Sequence, residues 1–269
     1  MRSLFDAARA CLDAASPDDK LARTLAAAAA FTEGQLAIPP MAAAPEPIRM
    51  PGRPVTPNLV PARELSRRGL GSAAGRAAFI HAIAHIEFNA IDLAWDAVYR
   101  FRGLPDAYYA DWVSVANDEA RHFSLLRARL REFGHEYGDF DAHNGLWEMA
   151  VQTAHDGLTR MALVPRVLEA RGLDVTPAMI VKLRALGDDE TADILAIILR
   201  EEITHVAAGS RWFRWYCSQR HCEPEATFAI LLAQYARGAL RGPFNDEARL
   251  AAGFTKLELD QLRRADQVS

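Results

Sequence analysis

Four long stretches of helical periodicity each set a glutamate on their apolar stripe, and in two of them a histidine follows three residues later. In "TADILAIILREEITHVAAGSRWF" the positions Ile194, Ile198, Glu202, His205 and Trp212 recur in steps of three or four and share one face. In the stretch ending "ANDEARHF" and beyond, Tyr108, Trp112, Val115, Glu119, His122, Leu126, Leu130 and Phe133 do the same. Glu87 stands alone among Ile80, Ile83, Ile91, Ala94 and Val98, and Glu169 follows Leu158, Ala162 and Pro165. Charged side chains are rarely fully buried unless they are paired or hold a metal. Six of them on four core stripes therefore restrict the folds this chain can adopt.

A Glu-x-x-His pair presents a carboxylate and an imidazole from adjacent turns to one point. Two such pairs, with one further glutamate from each of two other helices, make the ligand set of a di-metal site in a four-helix bundle. The intervals agree with that reading: Glu87 precedes Glu119 by 32 residues and Glu169 precedes Glu202 by 33. With a turn at Arg102-Gly103-Leu104-Pro105, Glu87 and Glu119 both lie ~20 Å from it at the helical rise per residue. The second pair matches in depth if a helix broken at Gly172–Pro177 resumes over about 177–187 and turns at Gly187-Asp188. The link after Phe133 spans at most ~40 Å over its dozen residues. A crossover therefore has to include part of 146–156, with a bend near His155-Asp156-Gly157; an up-down-up-down bundle is the alternative topology.

The rest of the chain reads as helix, and the expected fold is all-α. Residues 38–65 hold eight prolines and cannot be regular structure. Long helices are expected at roughly 73–102, 106–133, 146–171 and 189–217. The expected organisation is an N-terminal helical appendage over 1–37, with a helix capped by Ser16 and Pro17, a proline-rich strap over 38–70, a bundle over 71–220 and a C-terminal helical extension over 221–269. That extension begins with a helix over 224–240 and ends after the capping box Thr255-x-x-Glu258.

Half of the 269 residues are apolar and the net charge is −4, which gives no reason to expect a nucleic-acid partner. No stretch approaches a membrane span or a signal peptide. The three cysteines, Cys11, Cys217 and Cys222, are scattered, the profile of a reduced, cytoplasmic protein.

The phrases "HAIAHIEFNAIDLAWDAVYRF", "DEARHF", "RMALVPRVLEARGLDVTP", "EEITHVAAGSRWF" and "GPFNDEARLAAGF" resemble the bacterial family known as domain of unknown function 455. The motifs also resemble the ferritin-like superfamily of di-iron carboxylate proteins. That resemblance implies a ferritin-like four-helix bundle and two iron ions, with Mn/Fe or Mn/Mn pairs as variants. The donor set of carboxylates and imidazoles without thiolate suits iron or manganese. Glu87, Glu119 and His122 would serve one metal side, and Glu169, Glu202 and His205 the other, with Glu119 and Glu202 as the bridging, catalytic carboxylates. Asp118 and Glu201, the acids before each motif, would accept the second imidazole N–H and fix the tautomer. The implied reaction is dioxygen-dependent hydroxylation or oxidation of a small organic substrate, fed by an electron donor. Ferroxidase or peroxide-scavenging chemistry is the alternative, as is a metal-containing binding protein without catalysis. A homo-oligomer is compatible with either.

Several other polar residues have plainer readings. His85 lies about 200° around its helix from Glu87, so His81 and His85 are expected to contact the strap or Asp92. His155 lies too far along its helix from Glu169 to be a ligand. Cys217 and Cys222 read as buried thiols, "RWFRWYCSQR" as core aromatics between solvated arginines, and Arg127, Arg129 and Arg131 as a wet helix face. Pro165, one turn before Glu169, should kink its helix.

Overall fold

The computed structural model describes residues 2–40, 43–65, 69–236 and 241–267. It is all-α apart from two short strands, and it divides into two compact units, Met1–Val151 and Gln152–Ser269. Among the described residues no helix is long and apolar enough to cross a membrane.

In the first unit, strand β1 (Arg2–Ser3) pairs in parallel with β2 (Leu36–Ala37) and so ties the start of the chain to the end of its second helix. Between them lie α1 (Leu4–Asp13) and α2 (Pro17–Thr32). The Ser16 hydroxyl accepts from the Asp19 N–H at 3.1 Å, and Pro17 takes the first helical turn, where its missing N–H costs nothing. The unit is built around a long hairpin, α3 (Ala73–Arg100) and α4 (Asp106–Glu132). Ser72 caps α3, and Gly103 turns the hairpin at φ +68°, a conformation that suits glycine. α1 packs on α3 and α2 on α4.

The proline-rich segment lies extended and is fixed by its backbone. Gly52 N–H donates to Leu12 O at 2.7 Å, Val60 N–H to Ala142 O at 2.8 Å, and the Trp147 indole N–H to Arg49 O at 2.9 Å. A side chain at Gly52 would meet the Asp13 carbonyl at 2.3 Å, so this crossing requires glycine. A loop over 133–144 then leads to α5 (Gly145–Gln152).

The second unit opens with α6 (Gly157–Leu163), capped by Asp156, which also pairs with Arg220. The helix expected over 146–171 is thus interrupted at 153–156, beside the bend that the sequence suggests near His155-Asp156-Gly157. A β-carbon at Gly157 would lie 2.1 Å from the Tyr216 hydroxyl, so the chain passes close to its neighbour there. α6 runs into a π-helical segment, Val164–Glu169, and then into α7 (Ala170–Ala185). The break expected at Gly172–Pro177 does not occur. Pro177 sits inside α7, and the Leu173 carbonyl that it cannot serve accepts instead from the Asn245 side-chain amide at 3.1 Å.

A turn at Gly187 (φ +73°), with Asp188 as the cap, begins α8 (Asp189–Gln219), the longest helix described. α9 (Pro224–Tyr235), α10 (Asp246–Ala251) and α11 (Lys256–Gln267) pack back on the unit. The helix expected over 224–240 ends at Tyr235, and 237–240 lie outside the described residues. The capping box is formed: Thr255 N–H donates to Glu258 Oε2 at 2.8 Å and Glu258 N–H to the Thr255 hydroxyl at 3.2 Å.

Candidate metal centre

The first unit brings three of the expected ligands together. Glu87 comes from the middle of α3, and Glu119 and His122 come from adjacent turns of α4; Glu87 is 4% exposed and the other two are fully buried. His122 Nδ1 lies 3.1 Å from Glu87 Oε2 and 3.5 Å from Glu119 Oε2, and one donor atom of each residue lies within 4.8 Å of the others. Burial, then the charge of Glu119, push the Glu87 carboxyl well above the usual carboxylate range. Burial disfavours the His122 imidazolium, but the Glu119 and Glu87 carboxylates outweigh it and hold the ring up at about 11. Without a cation, a proton on His122 is what makes two buried carboxylates tolerable side by side.

The second unit carries the matching pair on α8. Glu202 and His205 are buried, with His205 Nδ1 3.6 Å from Glu202 Oε1. Glu169 ends the π-helical segment and is half-buried. Pro165, the second residue of that segment, has no N–H and packs so closely on α8 that a β-carbon at Gly209 would lie 2.4 Å from its ring. Arg166 is held by Glu258 of α11 at 2.6 Å and lies over the rings of Phe213, Phe228 and Phe254 at 4.2–4.6 Å. The C-terminal helix thereby grips the segment that ends in Glu169.

In the first unit, Glu87, Glu119 and His122 belong to a buried group that could hold a metal ion. Glu169 and His205 are not part of that group. The donors fit a hard or borderline divalent cation: carboxylate oxygens and an imidazole nitrogen, no thiolate, in a site where uncompensated carboxylates are costly. The acids before each motif reach arginines on their own helices: Asp118 lies 3.5 Å from Arg121, and Glu201 lies 3.3 Å from Arg200.

The remaining polar residues sort out as follows. His85 Nε2–H donates to the His143 carbonyl (3.0 Å) and its Nδ1 accepts from the Tyr137 hydroxyl (2.9 Å), and His81 Nε2 accepts from Gly138 N–H at 3.0 Å. These partners are in the loop after α4; Asn89 of α3 also lies 3.0 Å from His85 Nε2, and His85 lines a cavity together with strap residues Arg53, Pro54 and Pro57, while neither ring pairs with Asp92. Burial lowers His81 to about 4 and His85 to about 3, so both are neutral rings. Asp92 is instead paired with Lys20 of α2, both fully buried. Lys20, Thr24, Ala27 and Ala28 share one stripe of α2, which is the signal that would have placed that lysine inward.

His155 is exposed and only touches the Gln152 carbonyl. Burial pushes the Cys217 thiol up to about 12, as expected of an inert buried cysteine. In "RWFRWYCSQR" the aromatics Trp212, Phe213 and Tyr216 are buried and Arg211 is exposed. The Arg127 face is less wet than expected, because Arg127 pairs with both Asp18 and Glu136.

Comparison with known proteins places these features in a family context. The chain matches the family described as "Protein of unknown function (DUF455)" over residues 13–260. A protein of Haemophilus influenzae named "Uncharacterized protein" is 46% identical over 223 residues, which cover 80% of this chain and 77% of that relative. No solved structure matches the chain.

Proposed function

We propose, for a chain that belongs to the DUF455 family, a ferritin-like dinuclear carboxylate centre that oxidises a small organic substrate with dioxygen. The observation that carries this reading is the buried group of Glu87, Glu119 and His122 in the first unit, matched by the buried Glu202 and His205 pair in the second. It lies on helices whose ligands recur at intervals of 32 and 33 residues. Glu169 and His205 complete the set in this reading, with Glu119 and Glu202 as the bridging carboxylates. The two Glu-x-x-His helices and their glutamate-bearing neighbours form the ferritin-like bundle.

Two iron ions, bound there, would supply the redox chemistry that no side chain has. The chain's own residues do the rest. Nδ1 is the ring nitrogen of His122 that faces Glu87 and Glu119, and so it is the atom that gives up a proton on loading. Nε2 is left for an outer acceptor, the role proposed for the acids before the motifs. Phe88, Ile91, Trp95, Ala116 and Phe123 are likewise fully buried on α3 and α4, so the helices that carry the first half of the site have a dry, apolar interior. The π-helical segment before Glu169 is a local departure of the kind that recurs at functional sites.

The test is to load the protein with ferrous iron without air and then admit dioxygen. The reading expects uptake of about one dioxygen per iron pair, a visible-region spectral change, and no growth of ferric mineral when more iron is added. Continued mineralisation of added iron would replace oxidation of an organic substrate with iron storage. The electron donor and substrate are then sought with the reduced protein.

A further inference from the structure

Two cysteines meet at the end of α8, within the second unit. Cys217 lies ~18 Å along the helix from His205, so their chemistry is independent of the metal reading. α8 stops at Gln219 with Arg220 as its C-cap. His221 follows at φ +53°, the one non-glycine residue in the left-handed region among the described residues. His221 N–H donates to Ser218 O at 3.2 Å, and Cys222 N–H donates to Cys217 O at 3.1 Å. These two bonds make a Schellman cap, in which the side chains three residues before the C-cap and two after it are turned against each other. Here both of those side chains are thiols, and both are free.

The cap also sets the distance. The backbone bond from Cys222 to Cys217 keeps the two α-carbons within ~7 Å, given the lengths of the bonds on either side of it. Disulfides span about 4.4–6.8 Å between α-carbons. Cys222 Sγ lies 3.7 Å from the Cys217 carbonyl, and its thiol interacts with that of Cys217. The two differ in access: Cys217 is buried and Cys222 only half-buried. A reagent in solution therefore meets Cys222 first.

We propose that Cys217 and Cys222 are an oxidative modification site, which a low-molecular-weight disulfide such as oxidised glutathione converts into an intramolecular disulfide across the α8 cap. The Cys222 thiolate attacks one glutathione sulfur and expels the other as reduced glutathione. Cys217 then gives up its proton and attacks the Cys222 sulfur of the mixed disulfide, and a second glutathione leaves. Two protein thiols are oxidised, one small disulfide is reduced, and the two thiol protons end on the two glutathiones. Burial opposes the Cys217 thiolate, but the Arg166 and Arg220 charges favour it, and the attack is intramolecular. The cross-link fixes a joint with partners on both sides. Arg220 donates to Asp156, the cap of α6, at 3.2 Å, and α9 begins at Pro224.

The test equilibrates the full chain at neutral pH with reduced glutathione alone or with reduced and oxidised glutathione together. Remaining thiols are then blocked, and intact mass and peptide mapping are read. The wild-type protein should lose two hydrogens, mapped to Cys217 and Cys222, with Cys11 left as a thiol. Its melting temperature should rise by roughly 4 °C, the value for closing so short a loop in a chain of this size. Cys217→Ala should instead retain one glutathione on Cys222, and Cys222→Ser should take up none. His221→Gly suits the left-handed position and should keep the cross-link, whereas His221→Val, β-branched there, should cut the cross-linked fraction several-fold in the same buffer. The wild-type mass and the His221 pair decide the outcome even if Cys217→Ala folds poorly. An unchanged wild-type mass, glutathione left on Cys222 beside an intact Cys217, or pairing with Cys11 would overturn the proposal. So would a cross-link that forms only in urea, an oxidised form that melts lower, or His221→Val cross-linking as readily as wild type.

Discussion

The two Glu…Glu-x-x-His sets are nearly equal in spacing and unequal in structure. The first is carried by two uninterrupted α-helices, and its three ligands are buried and mutually in reach. In the second, only the α8 pair sits on a regular helix. Glu169 is half-buried and is delivered by a π-helical segment with a proline at its second position. An ordinary hairpin suffices to preorganise donors when both helices can be straight. Where a proline removes a helical hydrogen bond, other parts of the unit must define the segment. Here they are Gly209, which lets Pro165 approach α8, and the Arg166–Glu258 pair under three phenylalanine rings. The first half-site depends on residues near it in the hairpin, and the second depends on a helix some ninety positions further along the chain.

The largest expected effect is that of metal on stability. Ferrous or manganous ion in excess should raise the melting temperature at neutral pH by on the order of 10 °C, the shift that binding well above the dissociation constant gives a chain of this size. The carboxylates and His122 must give up protons to bind, so the rise should shrink as the pH falls toward 5. A melting temperature indifferent to metal at neutral pH would mean that the buried acids and histidines serve only as ion pairs.

A comparable effect, confined to the second half, is expected from Arg166→Met. It leaves Glu258 buried without its partner and should cost about 3–5 kcal/mol in denaturant unfolding. Adding Glu258→Gln should recover part of that loss. If Arg166→Met costs less than about 1 kcal/mol, the C-terminal helix does not hold the π-helical segment. The first half has its own signature in acid. His81 is buried as a neutral ring with its pKa lowered from 6.5 to about 4. Its contribution is complete above pH 6.5 and is lost as the pH falls toward 4, where the folded form resists taking the proton that the unfolded form accepts. His81→Gln should flatten that slope by roughly one proton, read from denaturant unfolding at pH 4.5–7.

Much of this was readable in the sequence because it rests on periodicity. The stripes through Glu87, Glu119, His122, Glu202 and His205, the Ser16 and Ser72 caps and the Thr255–Glu258 box depend only on neighbours three or four residues away. What the sequence did not reveal depends on distant partners. Pro177 looks like a helix breaker until Asn245 is seen to serve the Leu173 carbonyl. His81 and His85 find the loop after α4 because the chain folds back there, and no local pattern encodes that return.

The smallest expected effect lies on the outer face of the first hairpin. Glu136, held by Arg127 and Arg131, titrates near 2, but it is largely exposed. Glu136→Gln should therefore cost less than about 1 kcal/mol, and only above pH 4.5, since the contribution disappears as the pH falls toward 2. A larger loss would make this exposed network as important to the hairpin as the buried ligands.

The central claim is that both half-sites hold metal, and counting ions tests it most directly. Protein loaded anaerobically with ferrous iron and desalted should retain about two ions per chain, while Glu119→Ala and His205→Ala should each lose at least one with the fold retained by circular dichroism. Two ions in both variants, or none in the wild-type protein, would contradict the account.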